Sequence, residues 1–203
     1  MFGQVLDLAW EWHRRGHSPH DDHWEFLVEV VNLAAERWVE PDRGLWEDRS
    51  RRQHFVHSKA MAWVAFDRAI RTVEDDNELD GPVDRWRTIR DEIHAEVCDK
   101  GFDDELGTFT QTYGSKDLDA SLLLLPLFGF LPASDPRMRG TIEAIETRVR
   151  RSGKSVSDPM GCHQDGPAPP PGQSLPEDPR FVGRSLPPAW GKDIRPPPCP
   201  SSI

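Results

Sequence analysis

The chain has 203 residues, 36% of them hydrophobic, with eight tryptophans and nine phenylalanines, which is enough for a folded core. Its formal net charge of -10 argues against a nucleic-acid-binding surface, because such surfaces need clustered Lys and Arg to neutralise phosphates. The cysteines Cys98, Cys162 and Cys199 are scattered and odd in number, so the sequence favours a reducing compartment and indicates no disulfide framework, metal site or cofactor.

The N-terminal residues carry no targeting pattern. Residues 1–6 lack a basic region followed by a long apolar one, and no stretch approaches the roughly 18 apolar residues of a membrane span. We therefore expect a cytoplasmic protein with no membrane partner. In a chain that begins inside a larger domain, however, a targeting segment would be missing from the sequence.

Apolar residues at helical spacing predict four helices in the first hundred residues. The pattern covers residues 5–12, 24–38, 61–73 and 83–97. The turn residues Gly16, Pro41, Pro82 and Gly101 lie at their boundaries. Successive helices of this length predict antiparallel helix hairpins.

The next fifty residues contain a short extended segment and a fifth helix. Residues 108–113 alternate β-branched and aromatic side chains, and residues 118–131 form the most apolar run of the chain. Pro136 opens a helix patterned through Val149. The fold class is therefore predicted as all-α, with a bundle, a solenoid and part of a helical barrel all compatible with the pattern.

The composition changes near Arg150. Of the 19 prolines, 13 lie between Pro159 and Pro200, and helical periodicity ends. We expect residues 1–150 to form the folded domain and residues 151–203 a disordered Pro/Gly-rich tail, because the tail has too few apolar residues to offset the entropy of ordering it. Such tails are usually linkers or polyproline ligands, but the abrupt change favours a shifted reading frame or a truncated gene.

The loop Pro41–Arg49 holds the residues with the most suggestive chemistry. A carboxyl group beside an indole, as in Trp46-Glu47, is partly desolvated, which keeps it protonated near neutral pH as a general acid requires. On residue spacing alone, these residues could instead have a purely structural role, in which Trp46 covers the core and Glu47 pairs with Arg49 in solvent.

Several ordered motifs resemble glycoside hydrolase family 15, the glucoamylase-like family that includes bacterial trehalase-like members. The run Gly44-Leu45-Trp46-Glu47 resembles its Trp-Glu loop. Further matching runs are residues 52–69 (RQHFVHSKAMAWVAFDRA), 90–93 (RDEI), 101–103 (GFD), 109–114 (FTQTYG) and 118–124 (LDASLLL). The resemblance extends from about Gly3 to Glu146, and several motifs in the right order make it specific.

The resemblance implies an (α/α)6 barrel, as in six-hairpin glycosidases, of which this chain would form a part. It also implies inverting hydrolysis of an α-glucoside, a maltooligosaccharide, dextrin or trehalose, in which one carboxylic acid protonates the glycosidic oxygen and a second carboxylate activates water. Glu47 matches the acid. Trp46 would line the glucose pocket, and Asp48 and Arg49 would bind sugar hydroxyls or orient Glu47.

Three later residues are further candidates for substrate binding. His57 and Lys59 begin the third helix, where they either contact the sugar or support the pocket wall and the Glu47 loop. A nucleophilic relay with Ser58 is rejected, because adjacent residues on a helix do not face one another. Asp119 lies in a polar turn, as either a cap or a pocket residue.

The resemblance stops before the region that supplies the catalytic base in this family. We therefore expect a fragment with low or no activity alone, whose incomplete barrel exposes apolar helix faces and self-associates. The alternative is a non-catalytic helical module that serves as an interaction or vestigial protein.

Overall fold

The computed structural model describes residues 2–46 and 51–152. Over these residues the all-α prediction is confirmed, with two very short strands and a 3₁₀ helix besides the helices. The elements are α1 (Phe2–His13), α2 (Asp21–Arg37), α3 (Val56–Asp75), α4 (Val83–Lys100), β1 (Phe102–Asp103), β2 (Thr108–Phe109), the 3₁₀ helix Ala120–Leu124 and α5 (Pro136–Ser152). The predicted tail from residue 153 onward lies outside the described residues.

Helix α3 is the centre of the described part of the chain. Fifteen of its 20 residues are buried, including polar ones on several sides, which is typical of a helix surrounded by other elements. Helices α1 and α4 flank it, and α2 packs against both α1 and α3. Side chains that begin α3 are therefore held by a rigid scaffold.

Helix α1 approaches α3 closely through a glycine. A Cβ atom at Gly3 would overlap the carbonyl oxygen of Met61, so only glycine fits there. The buried residues of α1 are Gly3 and Leu6, whereas Trp12, which belongs to the predicted apolar pattern, is 56% exposed. The buried face of α1 is thus narrower than the apolar face that the sequence predicts.

The predicted extended segment divides between two partners. Thr108 and Phe109 pair antiparallel with Phe102 and Asp103 of β1. Thr112 instead forms an isolated bridge with Phe55, the residue before α3. The segment is therefore extended but leaves β1 after two residues, and its second half reaches the start of α3.

A buried ion-pair network joins α1 to α3. Arg68 contacts Asp67 at 2.5 Å and Asp7 of α1 at 2.8 Å, and it donates a third bond to the carbonyl oxygen of Phe128 at 2.9 Å. Arg71 also contacts Asp67, at 2.9 Å. Because each buried charge has partners, the network is compatible with burial.

Candidate functional site

The two ends of the Trp46-Glu47 loop are tied together by backbone bonds. Asp42 and Gln53 exchange both N–H···O=C bonds, at 2.9 and 2.8 Å, so the chain before and after this segment is paired. Gly44 lies inside the loop with φ of +69°, and a Cβ atom there would be 2.8 Å from the ring of Phe55. The Asp42–Gln53 pair and the Gly44–Phe55 contact therefore fix the point at which this segment begins.

Three of the predicted site residues lie outside the described residues. These are the proposed acid and its two neighbours, Glu47, Asp48 and Arg49. The description resumes at Arg51 and enters α3 at Val56. The predicted roles of these three residues therefore stay predictions.

Trp46 and Asp119, two of the other predicted residues, are in direct contact. The indole Nε1 of Trp46 donates a hydrogen bond to Oδ2 of Asp119 at 2.9 Å. The tryptophan is 51% exposed, whereas Asp119 is almost fully buried. About half of Trp46 is therefore accessible, as expected of a residue against which a sugar face could pack.

His57 lies in the first turn of α3 and is 6% exposed. Burial lowers the pKa of its imidazole, and the nearby charge of Asp119 opposes this effect more weakly. The ring lies 6.4 Å from that of Phe128, centroid to centroid. Burial therefore favours the uncharged form of the His57 imidazole.

Lys59 is directed at the backbone that follows α2. Its ammonium donates to the carbonyl oxygen of Trp38 and, at 3.0 Å, to that of Glu40. It also lies 5.7 Å from the centre of the Trp38 ring, and burial lowers its pKa. Lys59 thus binds the carbonyl groups of the backbone that follows α2. Its contact with substrate stays a prediction.

A cleft of about 360 Å³ adjoins Lys59. Its volume is within the range of small-ligand sites. Its polar lining includes Arg37, Glu40, Asp42, Arg43, Arg52 and Ser58. In the described ranges no group of three or more His, Cys, Asp or Glu side chains could hold a metal ion, and no helix there is long and apolar enough to cross a membrane.

Sequence reasoning missed one residue that organises this site, Gln111. Its side-chain Nε2 donates to Oδ2 of Asp119 at 3.0 Å, and its carbonyl oxygen accepts from the N–H of Val56 at 3.0 Å. Gln111 therefore links Asp119 to the start of α3. Its place in the FTQTYG run was the available signal, but the run does not reveal which partners the amide finds.

The sequence model described as glycosyl hydrolases family 15 matches residues 1–164. A trehalase of Thermoplasma volcanium is 42% identical over 153 residues, and a trehalase of Mycobacterium tuberculosis is 41% identical over the same length. Both matches cover 75% of this chain, but only 24% and 22% of the respective relatives. The chain thus spans about a quarter of the length of the curated relatives it matches.

A solved glycosidase in complex with glucose has a similar fold. Its TM-score is 0.61 at 20% sequence identity, and the match covers 72% of this chain and 38% of that chain. At this identity the likeness bears on fold alone. Together with the family match, it confirms the prediction that these helices form part of an (α/α)6 barrel.

Proposed function

The chain belongs to glycosyl hydrolases family 15, and we propose on this premise that it carries the acid-bearing part of an inverting α-glucoside hydrolase, with Glu47 as the general acid. The observation that carries the proposal is the environment of Trp46, the residue before Glu47. Trp46 is hydrogen-bonded to Asp119, about half of the residue is exposed, and Asp42 pairs with Gln53 on either side of this segment.

We propose trehalose as the first substrate to test, with maltooligosaccharides second. The curated relatives cited above are trehalases, and the glycosidase of similar fold was solved with glucose. Trp46 would pack against the C–H groups of one glucose ring, and Asp48 and Arg49 would bind hydroxyls or orient Glu47. His57 would form the uncharged wall of the pocket near Asp119.

The reaction needs a second carboxylate, about 6.5–9.5 Å from the acid, to activate water on the opposite face of the sugar. About three quarters of each relative lies outside the segment that matches this chain. We therefore propose that the base belongs to that part of the family domain. In the same proposal residues 1–150 are a portion of the catalytic domain and residues 151–203 are a separate tail.

The direct test is glucose release by the purified chain and by a graft. In the graft, the 153 matching residues of this chain replace the corresponding segment of the Mycobacterium tuberculosis relative. We expect no release of glucose from trehalose, maltose or maltotriose by the chain alone. We expect Glu47-dependent release by the graft, because the graft supplies the base.

The decisive variant is Glu47→Gln in the graft, which removes the acidic proton and keeps the side-chain shape. We expect the rate to fall by about 10²–10⁴. Glu36→Gln is the matched control, because Glu36 is an exposed residue of α2. Equal activity of Glu47→Gln and the control would refute the role of Glu47, and activity in the chain alone would refute the placement of the base.

An interaction role is the second candidate, and an exposed apolar surface on α1 favours it. Leu8 and Trp12 are 73% and 56% exposed, and both adjoin Phe128 in a shallow cleft. A surface of this kind is typical of self-association. We propose that isolated copies of the chain associate through it, which is compatible with either a catalytic or a non-catalytic chain.

A further inference from the structure

The carboxylate of Asp119 accepts hydrogen bonds from three separate places in the chain. Trp46 Nε1 and Gln111 Nε2 donate to Oδ2 at 2.9 and 3.0 Å. The backbone N–H of Ser121 donates to Oδ1 at 2.6 Å. An ionised carboxylate has about four acceptor positions, so protein donors occupy most of them.

The position of Asp119 is itself fixed by the backbone on both sides. It is the N-cap of the 3₁₀ helix, with φ -132° and ψ 139°. Before it, the N–H of Gln111 donates to the carbonyl oxygen of Asp117 at 2.7 Å, and the carbonyl oxygen of Gln111 accepts from Val56 of α3. The acceptor of the indole is therefore attached to the central helix.

The bond to Asp119 gives the indole of Trp46 a fixed acceptor. About half of Trp46 is exposed, so packing covers only part of the residue. The bond to Asp119 supplies a directional contact to a charged acceptor, which is stronger than a bond between neutral groups. Glu47 is the next residue along the chain.

We propose that Asp119 is a positioning residue, which holds the indole of Trp46 and acts on Glu47 through this neighbouring residue, instead of binding a sugar hydroxyl. This inference rests on the proposed function of Glu47. The hydrogen bond between Trp46 and Asp119 does not depend on that function. One experiment therefore tests this bond, and a separate experiment tests the role of Glu47.

The contact is tested in the full chain by NMR of ¹⁵N-labelled indoles. The Trp46 signal is assigned by its loss in Trp46→Phe. Asp119→Asn removes the charged acceptor at constant shape, and we expect the Trp46 indole proton to shift upfield and to exchange with water at least about tenfold faster. Asp117→Asn is the matched control, because Asp117 is exposed and loses the same charge.

Folding is monitored by the indole of Trp24, which donates to the carbonyl oxygen of Asp80 at 2.8 Å, far from the substitution in sequence. If Asp119→Asn alters this signal, Asp119→Ser replaces it, because serine keeps the cap on Ser121 but is too short to reach Trp46. An unchanged Trp46 signal in a folded Asp119 variant would overturn the proposal.

The consequence for catalysis is tested in the graft. A positioning role predicts that Asp119→Asn lowers kcat by about 10- to 100-fold, because a small misplacement of the reacting group is costly. An unchanged kcat in the folded variant, with or without a rise in KM, would show that Asp119 does not position Glu47 and would overturn the proposal. If the Trp46 signal responds but Glu47→Gln keeps full activity, the contact stands and the proposed function fails.

Discussion

The imidazole of His57 shows how burial sets the charge of a single residue. Burial lowers its pKa below the ordinary value of 6.5. Below about pH 6.5 the unfolded chain binds a proton at His57 more readily than the folded chain does. Protonation of His57 therefore favours unfolding as the pH falls, and it has no effect well above about pH 6.5. We expect the free energy of unfolding to decrease from about pH 7 to pH 5.

The measurement is urea unfolding of the chain across this pH range. His57→Gln should reduce the dependence on pH, although His54, whose pKa burial also lowers, retains part of it. His23→Gln, at an exposed histidine of α2, should keep the full dependence. The same pH dependence in His57→Gln and in the unsubstituted chain would show that the imidazole is not responsible.

At the same scale, the sequence selected candidate residues but not their contacts. The Trp46-Glu47 pair and the matching motifs pointed to the loop, to Asp119 and to the start of α3. The partner of Trp46 lies 73 residues away, and no local pattern encodes a pairing at that distance. Lys59 was selected as a cation near the site, but its backbone acceptors depend on how α2 ends.

Among the elements, α1 and α3 depend on the buried charge of Arg68. The side chain of Arg68 is 8% exposed, and it connects Asp67 on its own helix with Asp7 on α1. In Arg68→Ala, the buried carboxylate of Asp67 loses one of its cationic partners. We expect a loss of about 3–5 kcal/mol in the free energy of unfolding.

Arg71→Ala is the control for this prediction. Arg71 contacts the same carboxylate of Asp67, but its side chain is 49% exposed, so we expect a loss of about 0–1 kcal/mol. Both values follow from chemical denaturation. Equal losses in the two variants would mean that burial of Arg68 does not determine the contribution of the network.

Helical periodicity was sufficient to predict the five helices, because each contains apolar residues that recur along one face. It did not predict the exposure of Trp12, since periodicity marks an apolar stripe without showing which part of it has a partner. The two-residue length of β2 was also not predictable. The departure of Thr112 toward Phe55 is a tertiary pairing that overrides local strand propensity.

On the scale of the whole molecule, exposed apolar residues predict association of the isolated chain. Leu8 and Trp12, on the apolar surface of α1, are 73% and 56% exposed. We expect sedimentation velocity to show concentration-dependent oligomers that Leu8→Glu and Trp12→Glu weaken, because the charge opposes burial. Leu106→Glu, at an exposed leucine near β2, is the control. A monomer at all concentrations, or an equal effect of all three substitutions, would contradict the assignment of this surface.

The 73-residue separation of Trp46 and Asp119 also has a consequence for biosynthesis. A ribosome adds about 5–20 residues per second, so Trp46 is made about 4–15 s before its acceptor. A nascent chain paused between these two points holds the tryptophan without its carboxylate partner. In the order of translation, both partners of the Asp42–Gln53 pair are therefore present several seconds before Trp46 can form its hydrogen bond to Asp119.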